Sequence, residues 1–537
     1  MTSIKKYAAM FAVCLMLSGC ALESSSEKSS QETTTSETET NSETTSDKPV
    51  ETVVSDKCMP VINIRTKDSS PNALDFVTMP VTRHVAERIA TWTPNYKIPP
   101  EPYYVDCSIS VTDTDDKLLI DSANASVKVR GNWTTAYNKK PLRIKFETKQ
   151  SMFGLNDGNE YKNWLLLAEY KDFSMLRNRT AFQLAGEILG EDGYYAADSR
   201  LVEVTVNGEY WGVYLITEQQ QVNSGRVEIT EPENGYTGTD IGYFLEYDGY
   251  YYNEDPLHSF KVNYHNDAEL IPYDGNGGSG RTAKPSANGK NDVGITIKSD
   301  INSQEQHDHI ELFVNNAYDI MYEAAYNDKA FIMSDDLQTI TETSYLTPQE
   351  AVEKVIDLRS LVDSYILAEL TCDADIYWSS FFMDVDLGEG GSGKLRFEAP
   401  WDFDSGLGNK DRCANGKGFY AGNIIFDVNG EFEEMCNPWL MVLMNKGWYQ
   451  DIVKERWTEI HDSGTFERAY EMIASESEKL EPAFNRNYDK WNNIRQNDAI
   501  NELCAGAAAC TTEKQAADYL KNWLESRVSF LDSEWHK

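Results

Sequence analysis

The sequence predicts an α+β fold with a β-rich N-terminal part and a helical C-terminal part. Three observations carry this. Short runs in which apolar and polar residues alternate, the period of a half-buried strand, dominate residues 58 to about 216. Two of those runs are joined by Asn207-Gly208, the pair that most favours a two-residue hairpin turn. Beyond about residue 350 the apolar spacing lengthens to three and four, which is helical. Strands first and helices afterwards is the order of an α+β domain and not of repeated βαβ units.

A processing segment precedes these elements. Lys5 and Lys6 form a charged head, and Tyr7 to Leu17 an apolar run too short for an ordinary membrane span. The run ends in Leu17-Ser18-Gly19-Cys20, which resembles the lipobox of bacterial lipoproteins. Residues 1–20 are therefore read as a signal peptide, with Cys20 as the lipidation site; ordinary signal cleavage near the same point is the alternative. Residues 21–57 are mainly Ser, Thr and Glu and have too few large apolar residues to bury a core, so a disordered tether is expected. Its hydroxyls are also potential sites of modification, including by the protein itself. The expected location is the extracellular face of the cell membrane, reached by export and held through lipid.

Composition narrows the partners. A formal charge of -38 argues against sequence-independent binding to nucleic acid or to an anionic membrane surface. A polyanion such as ATP would need a local cationic pocket or a bound metal. Among nine cysteines no two have CxxC spacing, which argues against a structural zinc site. Export permits disulfides, and Cys58 with Cys107 is the expected pair because both flank one region.

Residues 58–120 read as a small β unit, with Pro60 to Ile64 and Val105 to Val111 as strands between Pro-rich turns. Residues 121–535 read as the main domain. It opens with Ala125 to Arg130 and Leu142 to Phe146, where alternation puts the basic side chains on one face. A helix is expected from Ser174, as N-cap, to Leu189. The Leu201–Val206 and Trp211–Ile216 hairpin follows. Gly275 to Gly280 matches GxGxxG formally, but no strand leads directly into it and no helix follows, so a flexible loop is expected. Leu358 to Leu370 keeps helical spacing, and Thr512 with Gln515 has the capping-box pattern that opens a last helix.

Three constellations carry chemistry. Lys128, Arg130, Lys139, Lys140, Arg143 and Lys145 cluster around the Gly131 turn, a concentration of cations suited to phosphate oxygens, or else a solvated sheet face. Glu369-Leu-Thr-Cys-Asp373-Ala-Asp375 ends a helix with two carboxylates, and hydroxyls follow at Ser379 and Ser380. Asp402 and Asp404 lie two apart in an apolar setting, where carboxylates are costly unless they hold a cation or accept hydrogen bonds. Mg²⁺ suits such a pair, because it takes few protein oxygens and fills its other positions with water and phosphate; a β-turn with surface carboxylates is the plain alternative.

In order and spacing these motifs resemble the CotH family. The resemblance runs from Arg130-Gly131-Asn132 and Lys140-Pro-Leu-Arg143 through Trp164 to Leu167, Asp172 to Asn178 and Asn207 to Glu218. It continues at Glu369 to Ser380, Pro400 to Asp404, Asn437 to Leu440 and Leu524 to Asp532. It implies an atypical, two-lobed, protein-kinase-like domain that moves phosphate from ATP to protein Ser/Thr with Mg²⁺ or Mn²⁺. By position, Lys140 resembles the ATP-phosphate residue, assisted by Arg130, Arg143 and Arg177, and Glu218 would lie near the lobe junction. Asp375 resembles the catalytic aspartate, and Asp402 the metal-binding one, seconded by Asp404. The sequence departs from the family at Thr134 and Thr135, where serine is common, and at Asp373, where Asn is frequent. The acceptor would be a surface protein or the chain's own tether. A non-catalytic surface or scaffold protein that binds cell-wall or polysaccharide partners is the main rival. A carboxylate-pair hydrolase is a third reading, in which the cationic cluster has no role.

Overall fold

The computed structural model describes residues 57–68, 71–287, 293–410, 415–425, 435–496 and 502–537. Cys20, the signal peptide, the tether up to residue 56 and Cys413 lie outside them.

Seven strands close into a barrel in the order β1-β2-β3-β4-β5-β7-β6. They are β1 (Val61–Thr66), β2 (Val105–Thr112), β3 (Leu118–Val129), β4 (Leu142–Gln150), β5 (Tyr161–Leu167), β6 (Ser199–Val206) and β7 (Glu209–Glu218). Neighbours are antiparallel except β1 and β6, which run parallel and complete the closure. The boundary expected at residue 120 thus falls inside β3, and the strands on either side of it belong to one barrel. A lone pair of strands is marginal in water, and closure removes the open edges.

The two-residue period sorts the side chains. Ile62, Ile64, Val127, Val129, Leu142, Ile144, Trp164 and Leu166 share the barrel core. The alternate residues of β5 to β7, among them Leu165, Leu167, Val213 and Leu215, face the other way into the core shared with the helices. On β3 and β4 the outer face carries the cations instead, and Lys128 stands directly opposite Arg143. Asn207 and Gly208 both take positive φ, 53° and 83°, as the expected two-residue turn requires.

Cys58 and Cys107 are free thiols. Cys107 sits opposite Thr66, the last residue of β1, whereas Cys58 precedes its first. Eight residues of extended chain, about 26 Å, separate the two positions, beyond the reach of a disulfide. Cys107 belongs to the barrel core, and Cys58 packs against the helical one.

Helix α1 (Arg83–Trp92) lies over the turn after β3, where Thr82 Oγ1 donates to the Gly131 carbonyl at 3.0 Å. Helix α2 (Arg177–Ile188) packs on β6. It begins later than expected, at Arg177, with Leu176 and not Ser174 at the N-cap position; Asp172 ties down the turn that leads in. Asp172 Oδ2 accepts the Arg177 amide at 2.8 Å, and its Oδ1 accepts the Ser174 amide and hydroxyl at 2.9 and 2.7 Å.

Strands β8 (Gly242–Asp248), β9 (Ser259–Phe260) and β10 (Gly294–Ile297) start a second sheet. The Gly275–Gly280 run between them is a turn held by Asp274, whose Oδ1 accepts the Asn276 and Gly278 amides at 2.7 and 2.9 Å. After α3 (Gln304–Tyr326) come the hairpin β11 (Ala330–Met333) and β12 (Ile340–Thr343), then α4 (Pro348–Val355) and α5 (Leu358–Thr371). Strand β13 (Phe381–Asp386) completes the sheet in the order β13-β8-β10-β9.

Helices α6 (Gly447–Asp462), α7 (Thr465–Lys479), α8 (Glu481–Trp491) and α9 (Glu513–Trp535) build the C-terminal part around the buried α5. The chain is therefore α+β, with its sheets early and its helices late. Thr512 caps α9 by accepting the Gln515 amide at 3.3 Å, but Gln515 returns its bond to the Thr511 amide at 2.9 Å, one residue early.

Candidate active site

Helix α5 stops because Cys372 takes a left-handed conformation, φ 47°. The chain then turns, and Asp373 and Asp375 follow at the helix end. Asp373 is sealed from solvent. Its Oδ1 accepts the Asp375 amide at 3.1 Å and the Ser405 hydroxyl at 2.9 Å, while its Oδ2 has no hydrogen-bond partner among the described residues. Ser405 Oγ also lies 2.7 Å from Asp375 Oδ2. One hydroxyl proton cannot serve two carboxylates, so one carboxyl must supply a second. Burial, and then the charge of Asp375, raise the Asp373 carboxyl well above its usual range.

The second carboxylate pair sits on a strained loop. Ala399 and Asp402 both have positive φ, 59° and 67°, which costs a non-glycine residue on the order of 1 kcal/mol each. Hydrogen bonds hold the loop in place. The Ala399 amide donates to the Tyr195 carbonyl at 2.8 Å, and the Phe403 amide to Asn178 Oδ1 at 2.9 Å. Asn409 Nδ2 donates to the Asp404 carbonyl at 2.7 Å, and the Leu407 amide to the Thr371 carbonyl at 2.6 Å. A side chain at Gly406 would put its Cβ 2.9 Å from that Thr371 oxygen, so only glycine lets the loop lie against the end of α5.

The two pairs share one electrostatic field. Burial, then Asp404 and Asp375, push the Asp402 carboxyl up, and Arg130 and Lys410 pull it back. Asp404 is raised by burial above all, and Lys410, with Nζ 3.7 Å from Asp404 Oδ1, opposes this. A second, fully buried layer stands behind. Asn178 Nδ2 donates to Glu169 at 3.0 and 3.2 Å, and the Glu169 carboxyl is raised well above its range by burial, with Asp172 and Asp404 adding to it.

The cations divide into two kinds. Arg130, at the end of β3, is half-buried over the Trp401 ring, with 5.7 Å from guanidinium to centroid. Among the described residues it makes no ion pair, and it lies close enough to Asp402 to oppose that carboxyl's rise. Arg143, on the same face, donates to Asn163 Oδ1 at 3.1 Å. Lys140 and Arg177 are spent on structure. Lys140 Nζ turns into its own loop and donates to the Thr135 and Tyr137 carbonyls at 2.5 and 3.1 Å; burial lowers it to about 8. Arg177 is buried against Asp172 and donates to the Leu407 carbonyl at 3.3 Å, so it braces the aspartate loop. Glu218 is buried with Arg226 and accepts Asn156 Nδ2 at 2.6 Å and the Asp198 amide at 3.0 Å.

The sequence profile described as CotH kinase protein matches residues 127–531, from within β3 to within α9. This chain belongs to the CotH family. No curated protein matches it. The CotH-matched stretch contains every aspartate of the cluster and all the cations just described.

Placed on the CotH chain, Asp375, Asp402, Asp404 and Arg130 come together in one site, and Arg143 lies on the adjoining strand face. Glu218 is held in a separate buried ion pair, and Lys140 faces carbonyls. Several residues at the site were not assigned a role from sequence. Lys139 donates to the Ala168 carbonyl at 2.8 Å, is lowered to about 7 by burial, and is the lysine whose field reaches Glu169. Ser405, Asn178 and Asn409 are neutral, and neither spacing nor charge distinguishes them. Lys410 was visible only as the first cation after the Asp402 run.

Proposed function

We propose that this CotH-family chain is a two-lobed, kinase-like phosphotransferase that moves the γ-phosphoryl group of ATP to a protein hydroxyl, with Mg²⁺ or Mn²⁺ at Asp402 and Asp404. The observation that carries the reading is the convergence of Asp373, Asp375, Asp402 and Asp404, with the carboxyls of Asp373, Asp402 and Asp404 all raised, beside an Arg130 that has no ion pair among the described residues. Such a cluster is unfavourable as it stands, and a divalent cation is the partner that relieves it.

The donor set fits a hard cation. Asp402 and Asp404 offer carboxylate oxygens, and Asn409 Oδ1 is a buried oxygen without a hydrogen-bond partner among the described residues. Bound there, the ion would neutralise phosphate charge during transfer, which is most of what phosphoryl transfer needs. Arg130 would meet phosphate oxygens from the barrel side. Asp375, its Oδ2 held 2.7 Å from Ser405 Oγ, would orient the acceptor hydroxyl. In this reading the barrel and the helical part are the two lobes, and the aspartates lie at their junction. Export and a lipid at Cys20 would place the enzyme outside the cell membrane, where surface proteins and its own Ser/Thr-rich tether are available acceptors.

The test is transfer of labelled phosphate from ATP by the full-length protein with Mg²⁺ or Mn²⁺, beside Asp375→Ala. Label that appears on protein and is absent in the variant is the expected result. No label with either metal, from a protein that melts normally, would overturn the reading.

A further inference from the structure

A second group of ligating side chains lies where α6 and α9 end, and it holds two of the chain's seven histidines. His461 and Asp462 close α6. Asp532 and His536 are four residues apart at the end of α9 and so share one face. The four groups alternate in a ring. Asp532 Oδ1 is 2.9 Å from His536 Nδ1 and 3.5 Å from His461 Nε2. Asp462 Oδ1 is 3.3 Å from His461 Nδ1 and 3.4 Å from His536 Nε2. Each imidazole thus turns one nitrogen to Asp532 and the other to Asp462.

Three features favour a metal over a plain ion-pair network. One ligand atom from each of His461, Asp532 and His536 lies within 4.8 Å of the others. Bonds of about 2.0–2.1 Å around a tetrahedral ion put neighbouring ligand atoms about 3.3 Å apart, and the two Asp532 contacts bracket that spacing. Asp462 faces the outer nitrogens of both rings, the place of the carboxylate that fixes a metal-bound histidine's tautomer. Asp532 is itself oriented by Trp457 Nε1, which donates to its Oδ1 at 3.2 Å.

We propose that His461, His536 and Asp532 bind one divalent ion of the zinc class, with Asp462 holding the outer N–H of both rings and water at the fourth position. The ion binds through neutral imidazole nitrogens, so any proton on a ligating nitrogen leaves as it enters. Imidazole ligands select Zn²⁺ and its Co²⁺ or Ni²⁺ substitutes over Mg²⁺ and Ca²⁺. The site uses no cysteine, so the missing CxxC spacing says nothing against it. The ion pins α9 to α6, and the inference is independent of the phosphotransferase reading.

The experiment is zinc calorimetry on chelator-treated full-length protein carrying Asp402→Ala, which silences the aspartate cluster. One Zn²⁺ bound at about micromolar affinity or tighter, a melting temperature raised by zinc, and tetrahedral visible bands with Co²⁺ are expected. His461→Gln with His536→Gln should abolish all three while the metal-free melt stays at the parent value. Asp462→Asn should keep the bands and weaken zinc about tenfold. Absence of zinc binding at about 100 µM in the parent, or binding that persists in the double variant, would overturn the proposal.

Discussion

Arg527 of α9 and Glu369 of α5 form an ion pair with both side chains fully sealed from solvent, Nη2 2.5 Å from Oε2. The same guanidinium donates from Nε to the Glu369 carbonyl at 2.7 Å and from Nη1 to the Gly418 carbonyl at 2.6 Å. Glu369 in turn accepts the Tyr420 and Ala421 amides at 2.8 and 3.0 Å. The last helix is thereby tied to the last turn of α5, just before Cys372 turns the chain toward Asp373 and Asp375.

Removing one partner of this pair leaves a buried charge alone. Arg527→Ala should cost about 3–5 kcal/mol, read by denaturant unfolding. Arg527→Met with Glu369→Leu should cost less than the single change. A cost of the single change within about 0.5 kcal/mol, the range of an ordinary surface substitution, would mean that Glu369 is not held as described.

Asp402 makes a pH prediction. Its carboxyl is raised to about 7, chiefly by burial, so the folded protein holds a proton there that the unfolded chain releases at ordinary acidity. The metal-free protein should therefore lose stability as pH rises from about 4 to about 7. Asn keeps the left-handed backbone and carries no charge. In chelator, Asp402→Asn should match the parent at about pH 4 and exceed it by up to about 4 kcal/mol at pH 8. Melts that stay parallel across that range would contradict the assignment.

Asn178 is buried beside the Asp402 loop. It joins Glu169 to the Phe403 amide. Asn178→Ala should cost about 1–3 kcal/mol for the donors and acceptors it orphans, and should lower transfer at least tenfold by freeing the Asp402 loop. A variant with full activity would show that the loop holds itself.

Arg130 and Lys140 should separate in one pair of assays. Arg130, without an ion pair among the described residues, should when changed to Ala weaken ATP binding and leave the melt unchanged. Lys140→Ala removes the donor of two buried carbonyl contacts and should cost about 1–3 kcal/mol. Calorimetry with ATP, run beside thermal melts, distinguishes the two; the reverse pattern would restore Lys140 as the phosphate residue.

Local features were legible in the sequence, and distant ones were not. The Asn207-Gly208 hairpin, the cationic face of β3 and β4, and the α9 cap at Thr512 follow from neighbouring residues, and each is in the structure. The convergence of Asp375 with Asp402 and Asp404 followed only from the order of the CotH motifs. Barrel closure was hidden, because pairing β1 with β6 needs a contact between Val61 and Glu203 that no local pattern encodes. Lys139 and Lys140 are adjacent and chemically alike, and only the fold decides which one feels the charge of Glu169. Ser405 gained its importance from two carboxylates that meet it from a different part of the chain.

Barrel closure also sets an order in time. β1 leaves the ribosome first among the strands, yet the parallel partner that completes its pairing ends at Val206, more than 130 residues later. Until then β1 has only β2 beside it and offers a bare edge to any passing strand. Assembly of this half is thus a late event that begins with the oldest part of the chain, and a truncation that removes β1 would leave the edges of β2 and β6 open in the finished molecule.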